Sequence, residues 1–568
     1  MPDIPGCHCT VPDWELPSSQ PEHSIEDAFT RCFVEFMVAA PRTSMEPQSL
    51  SLPYHPASAP TGAKELENVP QPNLDKVGSP YHWPPFQKSF IICISCASTL
   101  FASFATSCFS PGAEQISSEW GVSRVAALLG ITTFCCGMGF APMLLVPLSE
   151  IVGRRPVFLG TGAVLVIFQL CCAVTRLMLV TRLFAGVAAS TFTTMVGGIV
   201  ADMYEPRERN APMAVFTGSA LFGTGLGPLV CGFIAQYTTW RWIFYMQTII
   251  DGILALALLF FFRETRGVVI LRKRAKALNM YYEHLESAGS PGVHLPQSEI
   301  ANDSQTNDQA SKEGNVRRVR WRVAEHEARA SIATTLRVSV SRSFLLLFSE
   351  PVVFFFSLWA AFSWSVMYIN LAAIPLVYQT TYGFSLSSAN AIFTATCVAS
   401  ILSTLLSITQ SILASRHGTW NTVPEHRLYF ACVESVLLPA GLFMFGWTPQ
   451  HGDTIPWIVP TIAVGISTMG IFSIYLSVFN YLADTYRRYA SSALVAQNFC
   501  RNLMNGLFPL VSRKLFANLG YGPAASLLGG IAAGLCLVPW LLVVFGKSIR
   551  RRSRSASESF HQPGASVV

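Results

Sequence analysis

Charge is what this chain has least of. Asp, Glu, Lys and Arg together make up 13% of its 568 residues, about half the share of an ordinary soluble domain, which excludes a globular protein with a normally hydrated surface. The net charge of +6 is modest and unevenly placed. It reports loop topology rather than nucleic-acid binding, and no nucleic acid is expected as a partner. There is no Gly-rich phosphate loop of the Walker type, so ATP does not drive the protein directly. No ordered catalytic triad or metal cluster stands out, so the chain is not expected to be an enzyme and is expected to need no cofactor or metal. Cys7-His8-Cys9 is too short and isolated to count as a metal site. Twelve of the 15 cysteines, Cys135-Cys136 and Cys171-Cys172 among them, fall inside apolar runs and read as small core- or lipid-facing residues. The first 30 residues hold no apolar stretch of signal-peptide type, so the first membrane segment is expected to serve as the targeting signal.

What the chain has instead is apolar length. Hydrophobic residues make up 51%, with a mean hydropathy of +0.40. A helix needs about 20 apolar residues to cross a bilayer core. Twelve runs qualify: 89–109, 126–147, 156–174, 178–201, 212–236, 242–262, 353–374, 388–409, 429–447, 456–482, 491–511 and 523–546. An even count puts both ends on one side. Loops on that side hold Arg154, Arg155, Arg207, Arg209, Arg416, Arg427, Arg487, Arg488 and the basic tail beginning at Lys547, against Arg124, Arg176, Arg241, Arg513 and Lys514 on the other. Basic loops stay in the cytoplasm, so both termini are expected inside.

The expected fold is an all-α polytopic membrane protein. A cytoplasmic tail (1–87), rich in Pro, Ser and charge, is expected to be disordered. A six-helix bundle (88–262), a polar cytoplasmic loop (263–345), a second six-helix bundle (346–546) and a basic tail (547–568) follow. In the central loop, 271–285 reads as a basic amphipathic helix on the membrane surface. The sequon at Asn302 lies in the same loop and is expected to stay unused. Ala201-Asp202-Met203-Tyr204 ends the fourth run and is followed by Arg207 and Arg209; Ala483-Asp484-Thr485-Tyr486 ends the tenth and is followed by Arg487 and Arg488. These are corresponding positions of the two halves, as a parallel repeat of six spans requires.

Between the second and third runs stands Leu148-Ser149-Glu150-Ile151-Val152-Gly153-Arg154-Arg155-Pro156. Gly153 lets the backbone reverse, and the two Arg mark the cytoplasmic side. An acid three before the Gly and two Arg after it, in this place, resembles the signature loop of the major facilitator superfamily. The form of the stretch is similar to the fungal twelve-span drug:proton antiporter branch. Val146 and Ile151 depart from that pattern, standing where relatives usually have Gly and a basic residue. The resemblance covers about 80–545 outside the central loop. It implies the major facilitator fold, with twelve transmembrane helices in two six-helix bundles that rock about a central cavity. Glu150, Gly153, Arg154, Arg155, Asp202, Arg209 and Asp484 would then form the inner gate. Glu150 and Arg154 pair with each other if the helix continues; the stronger expectation is that they reach to 202–209 and to the start of span eleven.

Polar residues interrupt several runs. A charge in the bilayer costs at least ~2.5 kcal/mol on insertion scales, so Arg182 must be paired, line a wet cavity, or snorkel to the outer surface across the short Thr175-Arg176 connection. Arg182 followed by Gly186 resembles the family's fourth-span motif, where the Arg serves proton coupling. Asp251, near the middle of span six, is a proton-carrier candidate, or else a paired or silent carboxyl; Glu434 in span nine is a weaker one. In span five, Gly223 and Gly227 share a face that admits a close neighbour, and Pro228 bends the helix. With Gly232 they resemble the superfamily's antiporter motif. Trp240-Arg241-Trp242 reads as an interfacial aromatic belt and matches relatives, as does Glu264-Thr265 after span six. In the second half Tyr368, Asn370, Asn480, Gln497, Asn498 and Arg501 are the candidates for the substrate cavity, Arg501 matching an Arg of relatives. Ala372 stands where many relatives carry an acid, which argues against a polycation substrate.

The resemblance implies a proton-coupled efflux transporter of small amphiphilic organic compounds such as drugs, toxins or secondary metabolites. An uptake or polyamine transporter of the same fold, or a non-transporting membrane sensor, are the alternatives. The expected partners are a small-molecule substrate, protons and lipid. The protein is expected to be a monomer in the plasma membrane, driven by the proton gradient.

Overall fold

Among the described residues a helix or a broken helix follows each of the twelve apolar runs, since a helix satisfies all its backbone groups within its own segment inside a bilayer. The computed structural model describes residues 79–205, 208–287, 293–294, 316–317, 332–416, 428–452, 454–486 and 489–552. Cys7-His8-Cys9, Arg207, Asn302, Arg427, Arg487 and Arg488 lie outside them. Spans one and three to six are Pro85–Trp120, Arg154–Val174, Met178–Met203, Asn210–Tyr237 and Arg241–Phe261; spans seven to ten and twelve are Pro351–Thr380, Leu386–Leu413, Leu428–His451, Ile458–Thr485 and Tyr521–Gly546. Span two is a pair, Arg124–Phe140 and Pro142–Val152, bent by 41°. Pro142 at the first turn of its second piece accounts for the bend.

By apolarity alone the described residues give ten crossing helices, or eleven with the bent pair counted as one. The remaining expected span is present as the helix Ala490–Leu519. It is too polar to qualify, because Gln497, Asn498, Arg501, Asn502 and Asn505 all point into the protein rather than toward lipid. Helix ends follow local chemistry. Gly121 and Gly520, at φ +62° and +82°, end spans one and eleven, and the Ser123 hydroxyl accepts from the Ala126 N–H at 3.2 Å to cap span two.

The packing scheme repeats. In the first half span one packs on five, two on four, and three on four and six; in the second half seven packs on eleven, eight on ten, and nine on ten and twelve. Adding six to each number of the first set gives the second. Across the halves, two packs on eleven and five on eight, and the same operation exchanges these two seams. The repeat glimpsed at Asp202 and Asp484 is therefore a property of the whole bundle, with both residues at the same end of corresponding spans. The helix Ile332–Ser349 leads into span seven and packs on Pro142–Val152 and span eleven.

The described residues 271–287, 293–294 and 316–317 fall in a second unit. Its described part is the continuation of the helix Gly267–Ser287, where a helix was expected over 271–285, and a two-residue antiparallel pairing of Val293–His294 with Val316–Arg317.

Candidate functional site

The end of the bundle that carries the signature loop holds a compact charge cluster. Span two stops at Val152, and Gly153 turns the chain at φ +116°. Span three then starts with free backbone N–H groups, and Glu264 caps them. Its Oε1 accepts from the Arg154 N–H at 2.8 Å and the Arg266 N–H at 3.0 Å, and its Oε2 accepts from the Arg155 N–H at 3.1 Å. A carboxylate at a helix N-terminus gains from both the orphan donors and the helix dipole. A Cβ on residue 153 would run into this carboxylate, so Gly is required there twice over.

The Arg154 side chain, 4% exposed, donates from Nε to Asp202 Oδ2 at 3.2 Å and from Nη1 to Ser149 Oγ at 2.9 Å. Arg266 Nη1 takes the other Asp202 oxygen at 3.2 Å. Arg209 donates to the Ala201 and Tyr204 carbonyls, and Arg155 to the Leu259 carbonyl. Next to this cluster burial raises the pKa of the Tyr204 hydroxyl, against an opposing hydrogen bond from Ser89.

Two expectations change. Arg154 does not pair with Glu150, because the helix that would align them ends at Gly153. Nor does it reach span eleven, since its bonds all stay inside the first half. Asp484 lies half-buried at the matching end of span ten. Glu264 and Arg266 complete the cluster. Sequence reading noted Glu264 only as part of a short match to relatives and passed over Arg266, because both lie beyond the end of span six, at the start of a long polar stretch.

Deeper in the first half Arg182 is fully buried, so it does not snorkel. Span four starts at Met178, and Arg182 lies one turn in. Its Nε donates to the Gly130 carbonyl at 3.2 Å and its Nη1 to the Ala105 carbonyl at 2.8 Å. The rings of Phe134, Phe109 and Phe244 stand 4.3, 5.0 and 5.9 Å from its guanidinium carbon, each worth about 0.5–2 kcal/mol when desolvated. Among the described residues no carboxylate lies within ion-pair distance, and Nη2 has no partner. Asp251 is buried in span six, with Oδ2 also unpartnered. One turn earlier Gln247 ties span six to span one through its bond to the Phe101 carbonyl. Glu434 instead bonds Gln410 of span eight. At the opposite end of the bundle Glu119 accepts from Trp240 Nε1 at 2.7 Å and pairs with Arg241 at 2.6 Å, which fastens span one to span six.

Span five presents two glycine faces. Added Cβ atoms on Gly223 and Gly227 would strike span one, at the Leu100 carbonyl and at Ser107 with its neighbours. Gly218, Gly225 and Gly232 face span eight instead, at Thr404, Thr396 and Asn390. The first face is the one read from the sequence. The second, spaced by sevens, carries one of the two seams between the halves. Pro228 lies inside the helix between Gly227 and Leu229.

A narrow cleft lies between the halves at mid-depth, with free space of about one water. The first half contributes Ser103, Thr106, Met138, Thr193 and Ala220; the second contributes Trp364, Tyr368, Tyr475, Arg501, Asn502 and Asn505. Toward the charged end the two halves meet where Phe140 stands against Phe499 at 5.1 Å between ring centres and where Phe479 packs on Phe216 and Gly197. Toward the other end Ser110 Oγ donates to the Leu371 carbonyl at 3.1 Å, and the Ser387 N–H to Gln236 Oε1 at 2.6 Å. Of the six expected cavity residues, Tyr368 and Arg501 line the cleft. Asn498 supports it by accepting from Arg501 Nη2 at 2.5 Å, while Asn370, Asn480 and Gln497 lie off its lining. The small first-half residues gave no sequence signal, because Ser, Thr and Ala are common in any membrane helix.

A family model described as Major Facilitator Superfamily matches residues 95–509. An efflux pump of Gibberella moniliformis is 29% identical, covering 84% of this chain and 75% of its own length. A multidrug transporter of Candida glabrata is 28% identical, covering 84% and 78%. Among solved structures, a proton:xylose symporter of the superfamily superposes with a TM-score of 0.55 at 15% identity, over 81% of this chain and 97% of its own. At that identity the likeness concerns the fold.

Proposed function

Because this chain belongs to the major facilitator superfamily, we propose that it is a proton-driven exporter of small amphiphilic organic molecules. It is a multi-pass membrane protein. The observation that carries the reading is the cleft. It is lined from both halves, which meet across it toward both ends, in a chain whose relatives include an efflux pump and a multidrug transporter. A site flanked on both sides by ring contacts and single hydrogen bonds is what alternating access between two rocking halves needs.

The transporter makes no covalent change to its substrate, works as a monomer without a cofactor, and takes its energy from protons. Asp251 is the buried carboxyl of the first half that takes up and releases the proton, and Arg182, a permanent cation buried in the same half, is the second coupling residue. The charged end faces the cytoplasm, as do both termini, in the plasma membrane. Tags at Met1 and Val568 should then be inaccessible in intact cells, and labelling of either without permeabilisation would reverse the orientation. Polyamine transport is disfavoured because the cleft lining carries Arg501 and no carboxylate.

The test of function is flux in inside-out vesicles. An acidic lumen should drive accumulation of amphiphilic substrates, and a protonophore should abolish it. Accumulation indifferent to the pH gradient would reject proton-driven export, and binding with no flux under any gradient would favour the sensor.

A further inference from the structure

We propose that the cleft selects organic anions: amphiphilic molecules with a carboxylate or similar acid group, held by Arg501 and Trp364. The inference rests on the reading of the cleft as the substrate site. Arg501 is 4% exposed and lines the cleft. Its Nη2 is held by Asn498, and its guanidinium carbon lies 4.7 Å from the Trp364 ring centre and 4.9 Å from that of Tyr475. Among the described residues neither its Nε nor the indole Nε1 of Trp364 has a hydrogen-bond partner.

Both open positions are donors, one of them on a permanent cation. Among the described residues no carboxylate is within ion-pair distance of Arg501, and none lines the cleft. A buried cation without a counter-ion is costly, and ring contacts offset only part of that cost. A ligand that brings its own negative charge supplies what the site lacks, whereas a cation would meet like charge. Met138 and the rings of Tyr368 and Tyr475 offer an apolar wall to the rest of such a molecule.

The contrast with Arg182 sharpens the assignment. Among the described residues that one also has no carboxylate in ion-pair reach, but it spends two donors on backbone carbonyls and is not part of the cleft lining. Arg501 accordingly acts on the ligand, with Asn498 as the residue that positions it.

The test uses the full chain in lipid nanodiscs and three ligands of one shape: 1-naphthaleneacetate, 1-naphthaleneacetamide and 1-naphthalenemethylamine. At pH 7.5 these are an anion, a neutral molecule and a cation. Titration calorimetry should show the acid bound at least ~10-fold more tightly than the amide, the scale of a charge-assisted hydrogen bond, and the amine bound most weakly. Arg501→Gln should erase the preference for the acid while the amide still binds, and Arg501→Lys, which keeps the charge, should restore much of it. Thermal unfolding of each variant separates a lost preference from a lost fold. Equal binding of the three ligands, a preference for the amine, an acid preference that survives in Arg501→Gln, or no binding at all would each overturn the proposal. The vesicle assay with unmodified protein judges the export reading independently, so the two can fail separately.

Discussion

Among single residues, Asp251 and Glu264 do different work with the same chemistry. Glu264 is fully engaged, accepting three backbone N–H groups at the start of span three and just after span six. Asp251 has an oxygen with nothing to accept from. Under the proposed proton-driven export the first holds its charge and the second changes it. Asp251→Asn should therefore leave ligand binding intact and abolish export driven by a pH gradient. A unit charge crossing ~100 mV gains about 2.3 kcal/mol, so the loss should exceed tenfold. Unchanged proton-driven flux in that variant would return Asp251 to a structural role. Glu264→Gln removes a charge-assisted cap worth about 1–2 kcal/mol. It should lower the thermal midpoint by a few degrees and slow turnover; an unaltered midpoint and rate would show that the cap is dispensable. Asp251 was legible in the sequence because a carboxyl inside an apolar run is conspicuous. Glu264 was visible only as part of a short match to relatives, since its capping role comes from bonds to a loop 109–110 positions earlier. Arg182 was visible as a charge, but its depth depended on where span four begins.

At the scale of helices, span five carries the most information. Its Gly223–Gly227 face was readable from spacing, but spacing names no partner, and the structure supplies span one. The face toward span eight uses the same trick at longer spacing, inside a stretch so rich in glycine that no single period stands out. The two faces make separate predictions. Gly227→Val pushes a branched side chain into Ser107, the Cys108 N–H and the Phe104 carbonyl, an overpacking cost of roughly 1–3 kcal/mol inside one half. It should reach the membrane but lose export, and leak or stall protons in a vesicle assay with a pH dye. Gly225→Val meets Thr396 and Cys397 of the other half and should mainly change the balance between conformations, altering rate more than thermal stability. Wild-type flux and coupling in both would leave the glycines as packing alone. Span eleven shows the reverse limit of sequence reading. Its polar residues weaken it as a membrane segment when read singly, because what hides them from lipid is the other half of the protein.

Over the whole molecule, the span count and the division into halves were legible because bilayer thickness sets helix length. The repeat was visible only at its two Asp-containing ends, while the structure extends it to the main helix pairings. The cleft was least legible, since it is made of ordinary residues brought together from seven spans. Contacts between the halves flank it toward both ends, and the central claim of the proposed function is that the halves rock about it. The direct measurement is pulsed electron resonance on spin-labelled full-length protein in nanodiscs. One pair, Val152 with Leu345, reports on the charged end, and a second, Val122 with Leu519, on the opposite end; all four side chains are exposed. Across a range of pH, with and without substrate, the two distances should move in opposite senses, one end widening as the other narrows. Distances that widen together, or that stay fixed while flux proceeds, would contradict alternating access through this cleft.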